Sequence, residues 1–414
     1  MKILLCSSSF AGGGITSYAH ELINCYSENN EFSVLIGNDD QNPIIKDGVE
    51  VYKYDCSDIS FENVSRIVQL INEKIQPDIL ISSCAKALSI ALPYLNNDIK
   101  VITVSHSLKY IEADMAAFNY EYTDVVIALS DYNKAYLDKT FSIKDKHKVQ
   151  VVYNFVKEHQ QAKQLLSDKK ENKLVNIVFP GGAAASKTPE IVVDVLNRLL
   201  ETNLDFKFYW MGTTGIHLIK YFPFFPKRDI KNIVKKDPRV IFTGRVPRKE
   251  AEDIIANADI FLSPSRREGC PMSLIEAMRV GTISIVSDYD NANKEIIKNG
   301  INGFVIEHSD IDKFVSTVKN IITDKKQYLS IYDKSVETYF QELHFDVWKK
   351  KMDEIIFSSD VSHKEREGKI NQRDYQKIFR IFNKMQKKNN FLFLIQEPLP
   401  LLFRFQKYKK YNND

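Results

Sequence analysis

The sequence predicts an α/β protein built of two Rossmann-like, doubly wound domains and a C-terminal basic amphipathic extension. Short apolar runs recur along the chain with helix-length segments between them, the pattern of parallel strands covered on both faces by helices. The runs fall into two series separated by a polar stretch. At 414 residues, the chain is long enough for two domains that each bury a core.

The first series comprises residues 3–6, 32–36, 49–54, 79–82, 101–104, 125–129 and 149–153. The second comprises 176–179, 206–211, 240–243, 260–262, 283–286 and 304–306. Between them, residues 157–173 are charge-rich with few large apolar side chains and read as a linker with some helical character, placing the boundary near residue 165. Two facing domains of this kind would hold a ligand in a cleft lined by the loops at the carboxyl ends of both sheets.

Composition excludes several classes. The net charge of +3 conceals an asymmetry: residues 360–414 hold 13 Lys and Arg against 6 Asp and Glu, a surplus of +7 that leaves −4 for the rest. The five cysteines, Cys6, Cys25, Cys56, Cys84 and Cys270, are odd in number and form no Cys-x-x-Cys pair, so neither a disulfide framework nor a zinc site is expected, and a reducing cytoplasm fits. The N-terminal 2–6 run is too short for a signal sequence and reads as the first strand. No apolar stretch approaches the roughly 20 residues that span a bilayer. A soluble or peripheral protein follows as the expectation.

The densest chemistry lies in Ser263-Pro-Ser-Arg-Arg-Glu-Gly-Cys-Pro-Met-Ser-Leu-Ile-Glu-Ala-Met278. An apolar strand precedes it, Pro271 suits a first helical turn and Gly281 follows the expected helix end. Glu268 therefore falls in a strand-to-helix loop and Glu276 inside the helix. The amides of Met272, Ser273 and Leu274 would be open donors at the positive end of that helix, where a phosphate can be held. Two glutamates at this spacing are by themselves more often a turn residue and a solvated helix residue.

The surrounding Pro-Ser, Glu-Gly and Glu-Ala-Met pattern resembles the signature of the family 4 glycosyltransferases, retaining enzymes of the GT-B fold, over nearly all of residues 1–357. The resemblance implies that Glu268 binds hydroxyls of a donor sugar, Glu276 the ribose, and the backbone of Cys270, Pro271, Met272, Ser273 and Leu274 the sugar and diphosphate. It also implies residues 1–165 as the acceptor-side domain, 166–340 as the nucleotide-sugar domain, and a helix at 341–357, carrying Phe345-Asp-Val-Trp348, that crosses back. Residues 358–414 are additional.

Further motifs extend the resemblance. Gly12, Gly13 and Gly14 follow the first strand and let backbone approach a ligand; the pattern lacks a full Gly-x-Gly-x-x-Gly, so no dinucleotide cofactor is expected. In the family such a loop lies by the diphosphate and acceptor, the place expected for Gly13 and Gly14. His106, at the end of the fifth strand, resembles a histidine set beside the donor sugar, although a lone histidine is more often structural. Ser130 and Asn154 are expected to line the cleft, with strand-end capping as the plain alternative, and Phe155 stands where the family has glycine.

Lys187 matches a lysine that faces the diphosphate, but Gly182 occupies the place of the companion arginine. Arg245, Arg266 and Arg267 are candidates to compensate for the missing charge. Asp288-Tyr-Asp290 looks like a metal-binding Asp-x-Asp and reads better as a capped turn, so no metal and no cofactor are expected. Glu295-Ile-Ile and Asn299-Gly-Ile-Asn-Gly303 are expected to be architectural. In the extension, Ile378, Phe379, Phe382 and Met385 alternate at helical spacing with Lys377, Arg380, Lys384, Lys387 and Lys388, and residues 375–410 suit either an anionic membrane surface or packing on the protein's own body.

The expected activity is transfer of a sugar, with retention, from a nucleotide-sugar donor to a glycan or lipid-linked acceptor in cell-surface polysaccharide assembly. The chain would act in the cytoplasm or on the inner membrane face, without nucleic acid. Rival readings are a catalytically inactive relative that binds a glycan or protein partner, and another GT-B enzyme such as an epimerase or a phosphorylase. Retention of His106, Lys187, Glu268 and Glu276 weighs against the first, and the lack of a cofactor-binding lysine context against a phosphorylase.

Overall fold

A computed structural model describes residues 1–7, 10, 14–37, 45–56, 58–83, 85–106, 110–215, 237–289, 291–359 and 362–396, with backbone alone at 110–112, 185 and 389–396. The chain divides into two compact units, Met1–Tyr153 with Lys349–Gln396, and Asn154–Trp348.

In the first unit, seven parallel strands, β1 (Lys2–Ser7), β2 (Glu31–Gly37), β3 (Glu50–Tyr54), β4 (Ile79–Ser83), β5 (Lys100–Ser105), β6 (Val125–Ala128) and β7 (Val149–Val151), pair in the order β3-β2-β1-β4-β5-β6-β7. Each corresponds to one of the seven apolar runs. Strand β6 stops before Leu129 because Ser130 turns the chain into the Asp131–Phe141 helix, its buried Oγ accepting the Asn133 amide at 3.1 Å. Ser130 is thus a helix cap, the plain alternative to a cleft lining. Leu4, Cys6, Leu35, Leu80 and Val101 pack with Val64, Leu88 and Tyr94 into one core.

In the second unit, β8 (Val175–Phe179), β9 (Phe206–Met211), β10 (Val240–Gly244), β11 (Ile260–Ser263), β12 (Ile283–Ser287) and β13 (Gly303–Ile306) are again all parallel, in the order β10-β9-β8-β11-β12-β13. All six expected runs are strands. The Asn299–Gly303 turn is architectural: Gly300 has φ +74, its amide bonds Gly303 at 2.8 Å, and a Cβ on Gly303 would meet the Ser284 carbonyl at 2.6 Å. Phe155 replaces glycine because it packs, ring centroid 4.1 Å from Trp348 and 5.4 Å from Phe345, inside this unit.

The expected linker is not one. Residues Ala162–Glu171 form a helix of the second unit, and the units separate between Tyr153 and Asn154, not near 165. Ala162 packs with Ala256 and Val280, and Lys169 is buried, donating to the Val280 carbonyl at 3.0 Å and Thr282 Oγ1 at 2.8 Å. Its amine is satisfied inside the unit, which a charge-rich composition hides.

The extension also differs from a free tail. Residues 362–368 lie along the first unit: the buried Asp124 carboxylate accepts the Ser362 amide and His363 Nδ1, both at 2.9 Å, and Arg366 donates to the Asn96 and Ile99 carbonyls, both at 2.8 Å. The Gln372–Gln396 helix follows, sinking Tyr375 and Phe382 into the first core. Residues 397–410 of the expected amphipathic segment lie outside the described residues.

Candidate functional site

In the second sheet the strand order reverses between β8 and β11, and ligands of doubly wound sheets bind at the carboxyl ends on either side of such a reversal. The loop after β8 carries Lys187, and the loop after β11 carries Glu268. They meet: Lys187 Nζ donates to Glu268 Oε1 at 2.5 Å, with Glu268 itself buried. Gly181 makes the approach possible, because a Cβ there would lie 2.1 Å from the Phe179 ring and 2.9 Å from Lys187 Cβ.

The Glu268 loop is held from three sides. Arg266 N donates to the Ser186 carbonyl at 2.9 Å, Ser287 Oγ and Asn291 Nδ2 donate to the Ser265 carbonyl at 2.7 and 3.0 Å, and Ala292 N donates to the Glu268 carbonyl at 3.2 Å. A carboxylate fixed by this much backbone bonding is pre-organised for a ligand.

The Met272–Met278 helix begins after Pro271, which takes the capping position one residue before the expected first turn and supplies no side-chain cap. The Leu274 amide donates to the Pro271 carbonyl at 3.1 Å, so it is not the open donor expected. The amides of Met272 and Ser273 have no acceptor among the described residues. Glu276 lies one turn on, 3% exposed, and ion-pairs with Arg248 at the start of the Arg248–Ala256 helix after β10. Burial raises its pKa, with Arg248 and Arg279 pulling it down and Glu252 adding to the rise.

Cys270 is buried, its thiol pushed up to about 12 by burial, and it accepts the Asn154 amide at 3.3 Å while its carbonyl accepts Asn154 Nδ2 at 2.6 Å. It is a neutral packing group. Gly182 sits at φ +57, its amide bonded to Met211 O at 3.0 Å and its carbonyl to Trp210 Nε1 at 2.8 Å. A Cβ there would come within 3.3 Å of the Gly212 carbonyl. The arginine position is therefore closed by backbone, and Gly182 offers no open donor. Arg266 is engaged with His308 Nε2 at 3.0 Å and Glu190 at 3.8 Å, while Arg245 is exposed at the end of β10.

The first sheet reverses between β1 and β4. His106, just past β5, shares a hydrogen bond of 2.7 Å with Ser83 Oγ at the end of β4 and stands edge-on to Tyr18 of the Gly14–Tyr26 helix, centroids 4.9 Å apart. Burial lowers its pKa to about 4, so the ring is neutral at neutral pH. Gly14 opens that helix, exposed, with nothing within 4 Å of an added Cβ. Gly13 lies outside the described residues, as does Asp290; Asp288 accepts the His308 amide at 3.0 Å, a bond to the segment that follows β13.

The structure gathers Lys187, Glu268, Cys270, Pro271, Met272, Ser273, Leu274 and Glu276 on the second unit, with His106 and Gly14 at the reversal of the first. Sequence reasoning missed Arg248, and its only local signal is a basic residue opening a helix after the third strand of a doubly wound series.

The family model "Glycosyl transferases group 1" matches residues 157–337, and "Glycosyltransferase Family 4" matches 12–160. An Escherichia coli UDP-Gal:alpha-D-GlcNAc-diphosphoundecaprenol alpha-1,3-galactosyltransferase is 37% identical over 78 residues, covering 19% of this chain and 20% of its own length. A Salmonella typhimurium lipopolysaccharide 1,6-galactosyltransferase is 32% identical over 125 residues, covering 30% and 34%. The chain thus spans between a fifth and about a third of these relatives. The Anabaena HepE protein in complex with UDP has a TM-score of 0.67 at 15% identity, over 86% of this chain and 99% of its own, and that likeness shows a GT-B fold of two Rossmann-like domains. Two family models in succession, 12–160 and 157–337, place the chain among the family 4 glycosyltransferases.

Proposed function

We propose that the chain transfers a sugar, with retention, from a nucleotide-sugar to a glycan or lipid-linked acceptor in cell-surface polysaccharide assembly. The Lys187–Glu268 pair across the reversal of the second sheet carries this reading. An ammonium and two open amides, Met272 and Ser273, supply positive charge and donors of the kind a diphosphate needs as the glycosidic bond breaks. Glu268 offers an acceptor to sugar hydroxyls, Glu276 to the ribose, and Cys270 and Pro271 shape the sugar side.

The diphosphate departs from the anomeric carbon, the acceptor hydroxyl attacks from the same face, and the leaving phosphate takes its proton. No side chain has to act as a strong base. His106, neutral by its burial, serves as a hydrogen-bonding group to the sugar, and Gly14, whose glycine no packing contact demands, leaves room for a ligand. The first unit takes the acceptor side. The galactosyltransferase relative named for a diphosphoundecaprenol substrate supports a lipid-linked acceptor, and with it a place on the cytoplasmic face of a membrane.

The closed arginine position at Gly182 favours a second reading, a relative that binds without transferring. Calorimetry with UDP, GDP and their common sugar conjugates, on wild type and Glu276→Ala, tests the first. Micromolar binding of one nucleotide, lost in the variant, is expected; binding of none overturns the transferase reading.

A further inference from the structure

We propose that the outward face of the C-terminal helix is a docking surface for an anionic phospholipid bilayer. The inward face is accounted for among the described side chains: Tyr375 and Phe382 are buried in the first core, with Ile378, Phe379 and Met385 packed against it, so these apolar groups are not available for insertion. Packing on the body explains them. It does not explain the other side.

Arg373, Lys377, Arg380, Lys384 and Lys387 are all exposed and follow one another at steps of four, three, four and three residues, a single stripe down the helix. At 1.5 Å per residue the row is about 21 Å long. Lys388 is exposed beside it. Asp374 is the helix's one acid and binds Lys377 at 2.6 Å; the other five cations form no ion pair among the described residues. Such a row of uncompensated cations repels itself and persists against a diffuse negative plane.

Ile381, 62% exposed, stands between Lys377 and Lys384 on this face. An apolar side chain within a basic stripe suits the boundary between headgroups and acyl chains, and suits a phosphodiester backbone poorly. No exposed aromatic side chain accompanies it on the described part of the helix to stack a base. The face lies outside residues 12–337, which the family models match, and its argument is independent of the donor site.

The test is sedimentation of the full chain with vesicles of phosphatidylcholine alone or with phosphatidylglycerol, at low and raised salt, with a single-stranded RNA as competitor. Wild type should bind only the anionic vesicles and leave them as salt rises. Arg380→Glu/Lys384→Glu/Lys387→Glu should lose at least about a hundredfold in partitioning, on about fivefold per cation. The charge-matched control Lys163→Glu/Lys313→Glu/Lys326→Glu, exposed on the second unit, should bind as wild type. Circular dichroism confirms that each variant is folded, and nucleotide calorimetry reports the donor site separately. Equal binding to both vesicles, undiminished binding by the helix variant, equal loss in the control, or release of wild type by RNA overturns the proposal.

Discussion

Arg248 closes its guanidinium onto the carboxylate of Glu276, an exposed cation holding a buried anion. Burying a carboxylate favours its neutral form, and a nearby positive charge restores the ionised one. Glu252 on the Arg248 helix opposes this restoration, and Arg279 assists it. Replacement of Arg248 by alanine should raise the Glu276 pKa further and weaken nucleotide binding. The loss should shrink as pH is raised, since a more alkaline medium ionises the carboxylate without help. Calorimetry on both sides of neutrality checks this; a loss constant with pH contradicts it.

Lys187 touches Glu268 and would turn to the diphosphate of a bound donor as charge develops there. Lys187→Ala should lower kcat by about a hundred- to a thousandfold, as removal of a transition-state donor does, with a smaller change in KM. Steady-state and single-turnover sugar transfer measure the split.

Gly182 holds a left-handed conformation with the Gly212 carbonyl 3.3 Å from where a Cβ would sit. Gly182→Ala should cost about 1–2 kcal/mol of stability. Gly182→Arg should destabilise at least as much and give no gain in transfer rate, because the backbone closes the position. Thermal unfolding and rate measurements on both variants decide it.

Lys169 is buried, and its pKa falls from 10.5 to about 7. Between those values the unfolded chain binds a proton that the folded chain does not, so stability rises with pH across this window. The penalty is complete below about pH 7. Relative to Lys169→Met, wild type should gain a few kcal/mol as pH rises from neutral towards 10.5, an upper bound of the shift at about 1.4 kcal/mol per unit. Urea unfolding at successive pH values follows the difference.

Phe382 is wholly buried against Phe118, ring centroids 4.9 Å apart and nearly perpendicular. Phe382→Ala should cost about 3–5 kcal/mol, as for other buried phenylalanines. Ile381→Ala, one residue earlier and facing outward, should cost little. Denaturant unfolding of the pair separates a packed helix from a loose tail.

The thirteen strands were legible because parallel strands buried on both faces are written as unbroken apolar runs. Glu268 and Glu276 were legible for a different reason, a local motif at a strand-to-helix junction. What escaped depends on contacts remote in sequence or on side chains with two natures. Arg248 is 28 residues from Glu276 with no pattern linking them. Lys169 stands in a run of charges yet is buried, its amine bonded to Val280 and Thr282. The helix at 372–396 showed its amphipathic character plainly, but periodicity cannot name the surface that an apolar face meets.

The chain returns to its first unit after finishing its second. During synthesis the strands of the first sheet leave the ribosome by Tyr153, while the helix that packs on Phe61 and Phe118 arrives some 240 residues later. At about 5–20 residues per second, that interval is roughly ten to fifty seconds. Through it the nascent first domain carries an uncovered apolar flank, a natural place for a chaperone to wait.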